Sequence, residues 1–359
     1  MGRCRMAKVQ ILIPCYNYAR YLTACVESVT SQPGVDLDIL IIDDCSSDNT
    51  PEVCRELMAR DSRIRVIRHE KNMRHIATYN EGIADIRGDY FLLLSADDLL
   101  TPGALQRATS IMEANPNVGM VYGNAISFWG EPSPARTNMT GSTIWSGRKW
   151  MQIMCRSGRN FLVSPEGIVR ASIQRRIGGY DPALPHSGDM EMWLRIAAIS
   201  DIGYVRGADQ AYYRIHPASM QRTIHAGMMN DLKGRELAFR STFEKEGATL
   251  PERDALYAMA RKALAFTTVQ HARKLTYFPD ENDLSAEEYL AFADTLYPEG
   301  KASERYAPID KGAHTIARIR DASSCMAVKA QEILHKKFLN RVEHRWASRR
   351  GTYFPRTSG

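Results

Sequence analysis

Short apolar runs alternate with helical patterns over the first 122 residues of the chain. Val9-Gln10-Ile11-Leu12-Ile13 is dense enough in apolar side chains for a buried strand, and Pro14 stops it. Tyr21, Leu22, Cys25, Val26 and Val29 then recur at helical spacing and predict a helix over 20–31. Further strands are predicted over 37–42, 64–67, 90–94 and 118–122. The helices between them start at Thr50-Pro51-Glu52, near Ile76, and at Thr101-Pro102-Gly103, where Pro suits the first turn. Strands that are apolar throughout and alternate with helices predict an α/β fold: a doubly wound, mostly parallel sheet covered on both faces. Ligands of such sheets bind beyond the carboxyl ends of the strands. Those ends carry Pro14-Cys15-Tyr16-Asn17-Tyr18, the polar loop 43–50, and Ser95-Ala96-Asp97-Asp98.

The pattern loosens afterwards. Residues 131–142 read as a mobile loop, followed by a helix near 145–155, a mixed segment to Pro185 and a helix over 189–199. Two short strands are predicted over 202–205 and 210–215. Beyond His225 the spacing is helical to near Arg350, broken at Thr249-Leu250-Pro251, Pro279 and Tyr297-Pro298. A division follows, with an α/β domain over 1–220 and a helical C-terminal region over 221–359.

Charge changes the picture only at the end of the chain. The net charge is +6, yet from Lys311 onward 11 Lys/Arg face three acids. The first 310 residues hold 36 basic and 38 acidic side chains, so they are slightly acidic. That balance, with no nucleic-acid motif, argues against a nucleic-acid partner. Ile319, Met326, Ala330, Ile333, Leu334, Phe338, Val342 and Trp346 make the tail an amphipathic helix with a basic face. Such a helix packs onto its own domain, pairs with a second copy to make a homo-oligomer, or lies on anionic lipid. Packing is the simplest of the three. No apolar run reaches the roughly 18–20 residues that cross a bilayer. Seven scattered cysteines without a Cys-x-x-Cys pair fit a reducing cytoplasm. A peripheral membrane contact through the tail is compatible with that location.

The polar clusters each admit two readings from local sequence. Adjacent Asp97 and Asp98 at a strand end suit a hard divalent cation shared with a diphosphate, or simply a turn. The 43–50 loop suits a grip on a base and ribose, or a helix cap. Asp189, opening an amphipathic helix, is a candidate base or a first-turn acid. His216 closes a strand and is as readily structural as functional.

Taken together, the motifs resemble the family 2 glycosyltransferases of GT-A fold, over roughly residues 8–219. The matching stretches are Pro14-Cys15-Tyr16-Asn17, Ser28-Val29-Thr30-Ser31-Gln32 and Asp43-Asp44-Cys45-Ser46-Ser47-Asp48-Asn49-Thr50. Asn72, Asn80-Glu81-Gly82, Ser95-Ala96-Asp97-Asp98, Gly188-Asp189 with Trp193-Leu194-Arg195, and Tyr213-Arg214 with His216 and Ser219 follow in order. The resemblance implies a GT-A catalytic domain over 1–220, with nucleotide-sugar binding over about 8–125 and the acceptor side over about 145–220, and a helical C-terminal extension. It implies an inverting, metal-dependent transfer of a sugar, GlcNAc or a related hexose, from a UDP-sugar to a hydroxyl acceptor. Pro14, Tyr16, Asn17, Asp44 and Asn80 would line the donor pocket, with Asp44 on the base and Asp97 toward the ribose or diphosphate. Asp98 would bind Mn2+ or Mg2+, His216 would contact metal or diphosphate, and Asp189 would deprotonate the acceptor.

Several positions depart from the family pattern. Ser95 stands where an Asp is common, Arg74 where Gly is usual, Tyr79 where Arg precedes Asn80, and Gly188 where Glu precedes the base. Two rival classes stay open: a nucleotidyltransferase, and a silent nucleotide-sugar-binding scaffold. The first normally needs a basic, Gly-rich loop after the first strand, whereas Pro14-Cys15-Tyr16-Asn17 stands there.

Overall fold

A computed structural model describes residues 6–217 and 227–302 together with the backbone of strand Arg356–Thr357. The amphipathic basic helix expected from Ile316 to Trp346, and Ser219 of the closing segment, lie outside the described residues.

The first half winds as its pattern predicts. Strands β1 (Lys8–Cys15), β2 (Asp36–Asp43), β3 (Ile64–Arg68) and β4 (Tyr90–Leu93) are parallel, in the spatial order β3-β2-β1-β4. Helices α1 (Ala19–Thr30), α2 (Thr50–Arg60) and α3 (His75–Ala84) make the crossovers. Side chains alternate across each strand, so successive residues feed two separate cores. Val9, Ile11, Ile13, Ile39 and Ile41 pack with Leu22, Val26, Val29 and Leu57 of α1 and α2. Leu12, Leu40 and Ile42 face the other way, with Ile83 of α3.

The second half extends the same sheet. Strand β5 (Leu99–Leu100) and helix α4 (Ala104–Ala114) lead to β6 (Val118–Phe128). Then come β7 (Gly141–Trp145), α5 (Gly147–Ser157), β8 (Ile168–Arg170), α6 (Ala171–Ile177), α7 (Gly188–Ile199) and β9 (Asp201–Arg214). Strand β8 enters antiparallel between β4 and β6, while β6 and β9 run parallel.

Three expectations need correction here. The strand expected to end at 122 continues to Phe128, buried along its whole length. The two short strands after 201 are one strand with register shifts against β6, because the irregular pairing near Asn124 interrupts the alternation without ending the ladder. Residues 141–145, expected as loop and helix start, form β7 along β9, and the helix begins only at Gly147.

The C-terminal helices α8 (Met228–Glu244), α9 (Arg253–Tyr277) and α10 (Ala286–Leu296) break near the positions the sequence marks. They do not stand apart. Phe239, Leu264 and Tyr289 share one hydrophobic core with Trp150 of α5, Trp193 of α7 and Leu12 of β1. Among the described residues, no helix is long and apolar enough to cross a membrane.

Candidate active site

Neighbouring strands β2, β1 and β4 bring their carboxyl ends to one edge, and the loops leaving them are stitched together. Asn17, in the left-handed region at φ 58°, accepts the Ser47 backbone N–H at 2.8 Å through its amide oxygen, while its own N–H donates to Ser46 Oγ at 2.9 Å. Asp48 accepts from Ala19 N at 3.1 Å and from Thr50 N at 3.0 Å. These bonds set the walls of the edge on which Pro14 and the half-exposed Tyr16 lie.

Asp44 is buried, and its Oδ1 accepts the Met73 backbone N–H at 2.6 Å. The same oxygen pairs with His69 Nδ1 at 2.7 Å, and His69 Nε2 meets Glu81 at 2.7 Å. Burial opposes a charged His69, but the two carboxylate partners outweigh it and hold its pKa above the ordinary value. His69 was not legible as a site residue, since nothing in a strand-end His announces a partner 25 positions earlier.

The acidic pair follows β4. Asp97 is 8% exposed and Asp98 2%. Burial pushes both carboxyls up, and for Asp98 the charge of Asp97 adds to it. Their partners arrive through β5, whose antiparallel pairing sets Leu99 opposite Tyr212. Two residues back along that register, Asp97 falls opposite Arg214. Accordingly, Arg214 N donates to Asp98 Oδ1 at 2.8 Å and Arg214 Nε to the Asp97 carbonyl at 2.8 Å. The guanidinium is sandwiched between the rings of Tyr21 and Phe128, 4.5 and 4.4 Å from their centroids. His216 Nε2 lies 3.0 Å from Asp97 Oδ2 and 3.3 Å from Tyr18 Oη. Its Nδ1 is buried without a partner among the described residues.

Asp189 stands in the first turn of α7 and is partly buried. Burial pushes its carboxyl up, and hydrogen bonds from Ser164 and Tyr180 pull in the other direction without cancelling it. Ser164 Oγ donates to Asp189 Oδ2 at 2.6 Å. Ser164 itself holds φ +94°, a conformation that costs a residue with a side chain about 1–3 kcal/mol. Asn80 does not face open solvent: its Oδ1 accepts Tyr180 N at 2.6 Å and its Nδ2 donates to the Tyr180 carbonyl at 2.9 Å. That clasp requires Gly179, where a Cβ would lie 2.2 Å from Asn80 Oδ1.

Tyr79 and Tyr213 feel both the acidic pair and Asp189. Burial first, and then the charges of Asp97, Asp98 and Asp189 together, push both phenols up. The adjacent Asp97 and Asp98 and the distant Asp189 therefore all lie within electrostatic reach of the same two phenols. Sequence reasoning missed Ser164, Glu166 and His69; the Ser164-Pro165-Glu166-Gly167 stretch signals a turn, but nothing local says what the turn touches.

A buried ion network anchors α7 from behind. Glu191 is fully buried and accepts from Arg195 Nε at 2.9 Å, Lys245 Nζ at 2.8 Å and Ser241 Oγ at 2.9 Å. Lys245 also pairs with Asp181 at 2.7 Å. The helix that carries Asp189 is thus tied to α8 of the C-terminal region.

Residues 10–168 match the family described as glycosyl transferase family 2. Among relatives, the chain is 26% identical over 290 residues to chondroitin synthase of Escherichia coli, across 78% of this chain and 38% of that protein. It is 31% identical over 98 residues to glycosyltransferase GlyG of Streptococcus pneumoniae serotype 4, covering 27% of this chain and 33% of GlyG. The chain therefore spans 38% of the chondroitin synthase and 33% of GlyG. Of solved structures, S. aureus TarS 1-349 in complex with UDP-GlcNAc superposes with a TM-score of 0.59 at 15% identity, over 82% of each chain. Mannosyltransferase PcManGT from Pyrobaculum calidifontis, in complex with GDP-Man and Mn2+, superposes at 0.54 and 15% identity, over 90% of this chain and 81% of that one. These structures share the mixed α/β fold, with its mostly parallel central sheet.

Proposed function

We propose, on the premise that residues 10–168 are a family 2 glycosyltransferase domain, that the chain moves a sugar from a UDP-sugar to a hydroxyl acceptor with inversion. The sugar we favour is N-acetylglucosamine or a related hexose, as UDP-GlcNAc is the ligand named for one superposed structure. The observation that carries the reading is that Asp97, Asp98 and Asp189, held in place by Arg214, His216 and Ser164, all bear electrostatically on the same two phenols, Tyr79 and Tyr213. A single inverting displacement needs a leaving-group site on one side of the sugar and a base on the other.

Each residue then has a task. Asp44 and the loop of Tyr16 and Asn17 hold the nucleoside side, with Pro14 and Asn80 shaping the pocket. Asp97 faces the ribose or diphosphate. Asp189 takes the acceptor proton as the new bond forms, and His216 stands at the diphosphate. Adjacent buried carboxylates are hard oxygen donors, and the upward push on both is relieved by a cation, so the donor set fits Mn2+ or Mg2+. Among the described residues no three metal-binding side chains form a ready cage; phosphate oxygens would complete the shell around Asp98. Such an ion, when bound, neutralises charge on the departing diphosphate.

Incubation with a panel of nucleotide sugars, Mn2+ or Mg2+, and pooled methyl glycoside acceptors tests the reading. Nucleoside diphosphate should be released and a glycoside of inverted configuration formed. Pyrophosphate release would favour a nucleotidyltransferase, and donor binding without turnover a silent scaffold. Chelator should suppress the activity, and Asp98→Asn should weaken both donor binding and turnover, by about tenfold or more for one lost charge contact in a closed site. Full activity in excess chelator would remove the metal from the mechanism.

A further inference from the structure

The turn at 163–167 touches the base without belonging to any motif. Gly167 N donates to the Ser164 carbonyl at 3.0 Å, closing the turn. Glu166 reinforces it: its Oε1 accepts the Val163 N–H at 3.0 Å, and its side chain is 1% exposed. Burial, with the charge of Asp189 adding, pushes the Glu166 carboxyl up to about 7. Its Oε2 has no hydrogen-bond partner among the described residues. The turn also leans on the helix that carries the base. A Cβ on Gly167 would lie 3.2 Å from the ring of Trp193, one helical turn beyond Asp189. What this built and strained turn delivers is a single hydroxyl, Ser164 Oγ, 2.6 Å from Asp189 Oδ2.

We propose that Ser164 is a positioning residue for the base: its hydroxyl, presented by the turn that Glu166 closes, fixes Oδ2 and with it the plane of the Asp189 carboxylate toward the acceptor. This rests on the reading of Asp189 as the base. A carboxylate on a first helical turn rotates about its side-chain torsions, and a donor on one oxygen removes that freedom. The same bond favours the ionised carboxylate against burial, which is the state that accepts a proton. Other titratable groups face Asp189 as well: His75 and Tyr79 from α3, Tyr180 and His186 from the segment before α7, Glu166 from the turn, and Tyr213 from β9. Tyr180 is the second donor to the carboxylate, so loss of Ser164 should weaken the orientation without abolishing it.

Glycine adopts φ +94° freely, so Ser164→Gly removes the hydroxyl and relieves the backbone at once. We expect a melting temperature at or above wild type, KM for UDP-N-acetylglucosamine (or the panel donor wild type prefers) within about twofold, and kcat lower by about tenfold. The acid limb of the kcat–pH profile should move to higher pH, because a donor to the ionised base is gone. A purely structural serine would instead change melting temperature, or nothing. If Ser164→Gly keeps kcat within twofold with an unmoved acid limb while Asp189→Asn is inactive, the positioning role is wrong and the base assignment stands. If Asp189→Asn transfers sugar like wild type, both fall together.

Discussion

On the proposed nucleoside side, Asn17, Asp44 and Asp48 are fastened by loops that leave neighbouring parallel strands: Asn17 to Ser47, Asp44 to Met73 and His69, Asp48 to Ala19 and Thr50. On the proposed base side, Asp189 depends on a strained turn at Ser164, on Asn80 clasping Tyr180 across 100 residues of sequence, and on α7 being tied to α8 through Glu191. Strand order delivers the first set, because β3, β2 and β1 are neighbours and their ends coincide. The second set needs separate packing events, one of them with the C-terminal helices. The nucleoside edge should therefore persist wherever the parallel sheet does. The base side should be the half that mutation uncouples.

The sharpest way to separate the halves is Asp189→Asn, which keeps shape but cannot accept a proton. Sugar transfer should fall by ~10²–10⁴-fold, while UDP affinity by calorimetry stays within a few-fold. The same contrast has a pH signature. Burial raises the Asp189 pKa, so wild-type turnover should climb as pH rises through that raised value and level off above it, the ionised form being the base. A donor affinity that collapses with the Asn variant would show that the two halves are not independent.

Glu191→Leu attacks the comparison from the scaffold. It removes the 2.9 Å carboxylate partner of buried Arg195 and leaves it only the longer pair with Glu246 at 3.6 Å, a loss of about 3–5 kcal/mol for a broken buried pair. Thermal unfolding should shift down accordingly. Hydrogen exchange should show α5, α7 and α8 losing protection before β1 and β2. Simultaneous loss across all of them would mean one cooperative unit and would erase the distinction between the halves.

The smallest effect is expected on the nucleoside side. Arg74 opens α3 at φ +67° and ψ 159°, a region that only glycine occupies comfortably. Arg74→Gly should raise stability by about 1 kcal/mol, the lower end of the cost of such a conformation. It should leave the folded sheet and UDP binding in place. A lower melting temperature would mean that the arginine side chain holds the α3 entry by contacts stronger than the strain.

Length, apolar runs and turn residues by themselves determined the alternating architecture, the parallel first half, and the loops 14–18, 43–50 and 95–98 at its ligand edge. Those are local properties: a buried strand must be apolar along its length, and polar residues at its end have nowhere else to go. They also marked Asp189 as opening a helix and His216 as closing a strand. They misjudged β7 and the length of β6 because residues paired to a distant strand carry no periodicity of their own. Only the tertiary structure decided that Asp97 meets Arg214 and His216 through the β5–β9 register, that Asn80 clasps Tyr180, and that Ser164 meets Asp189. It likewise decided that the C-terminal helices share the core of the first domain. The reason is common to all of them: a hydrogen bond between groups far apart in sequence is set by sheet order and helix packing, which no local spacing of residue types records.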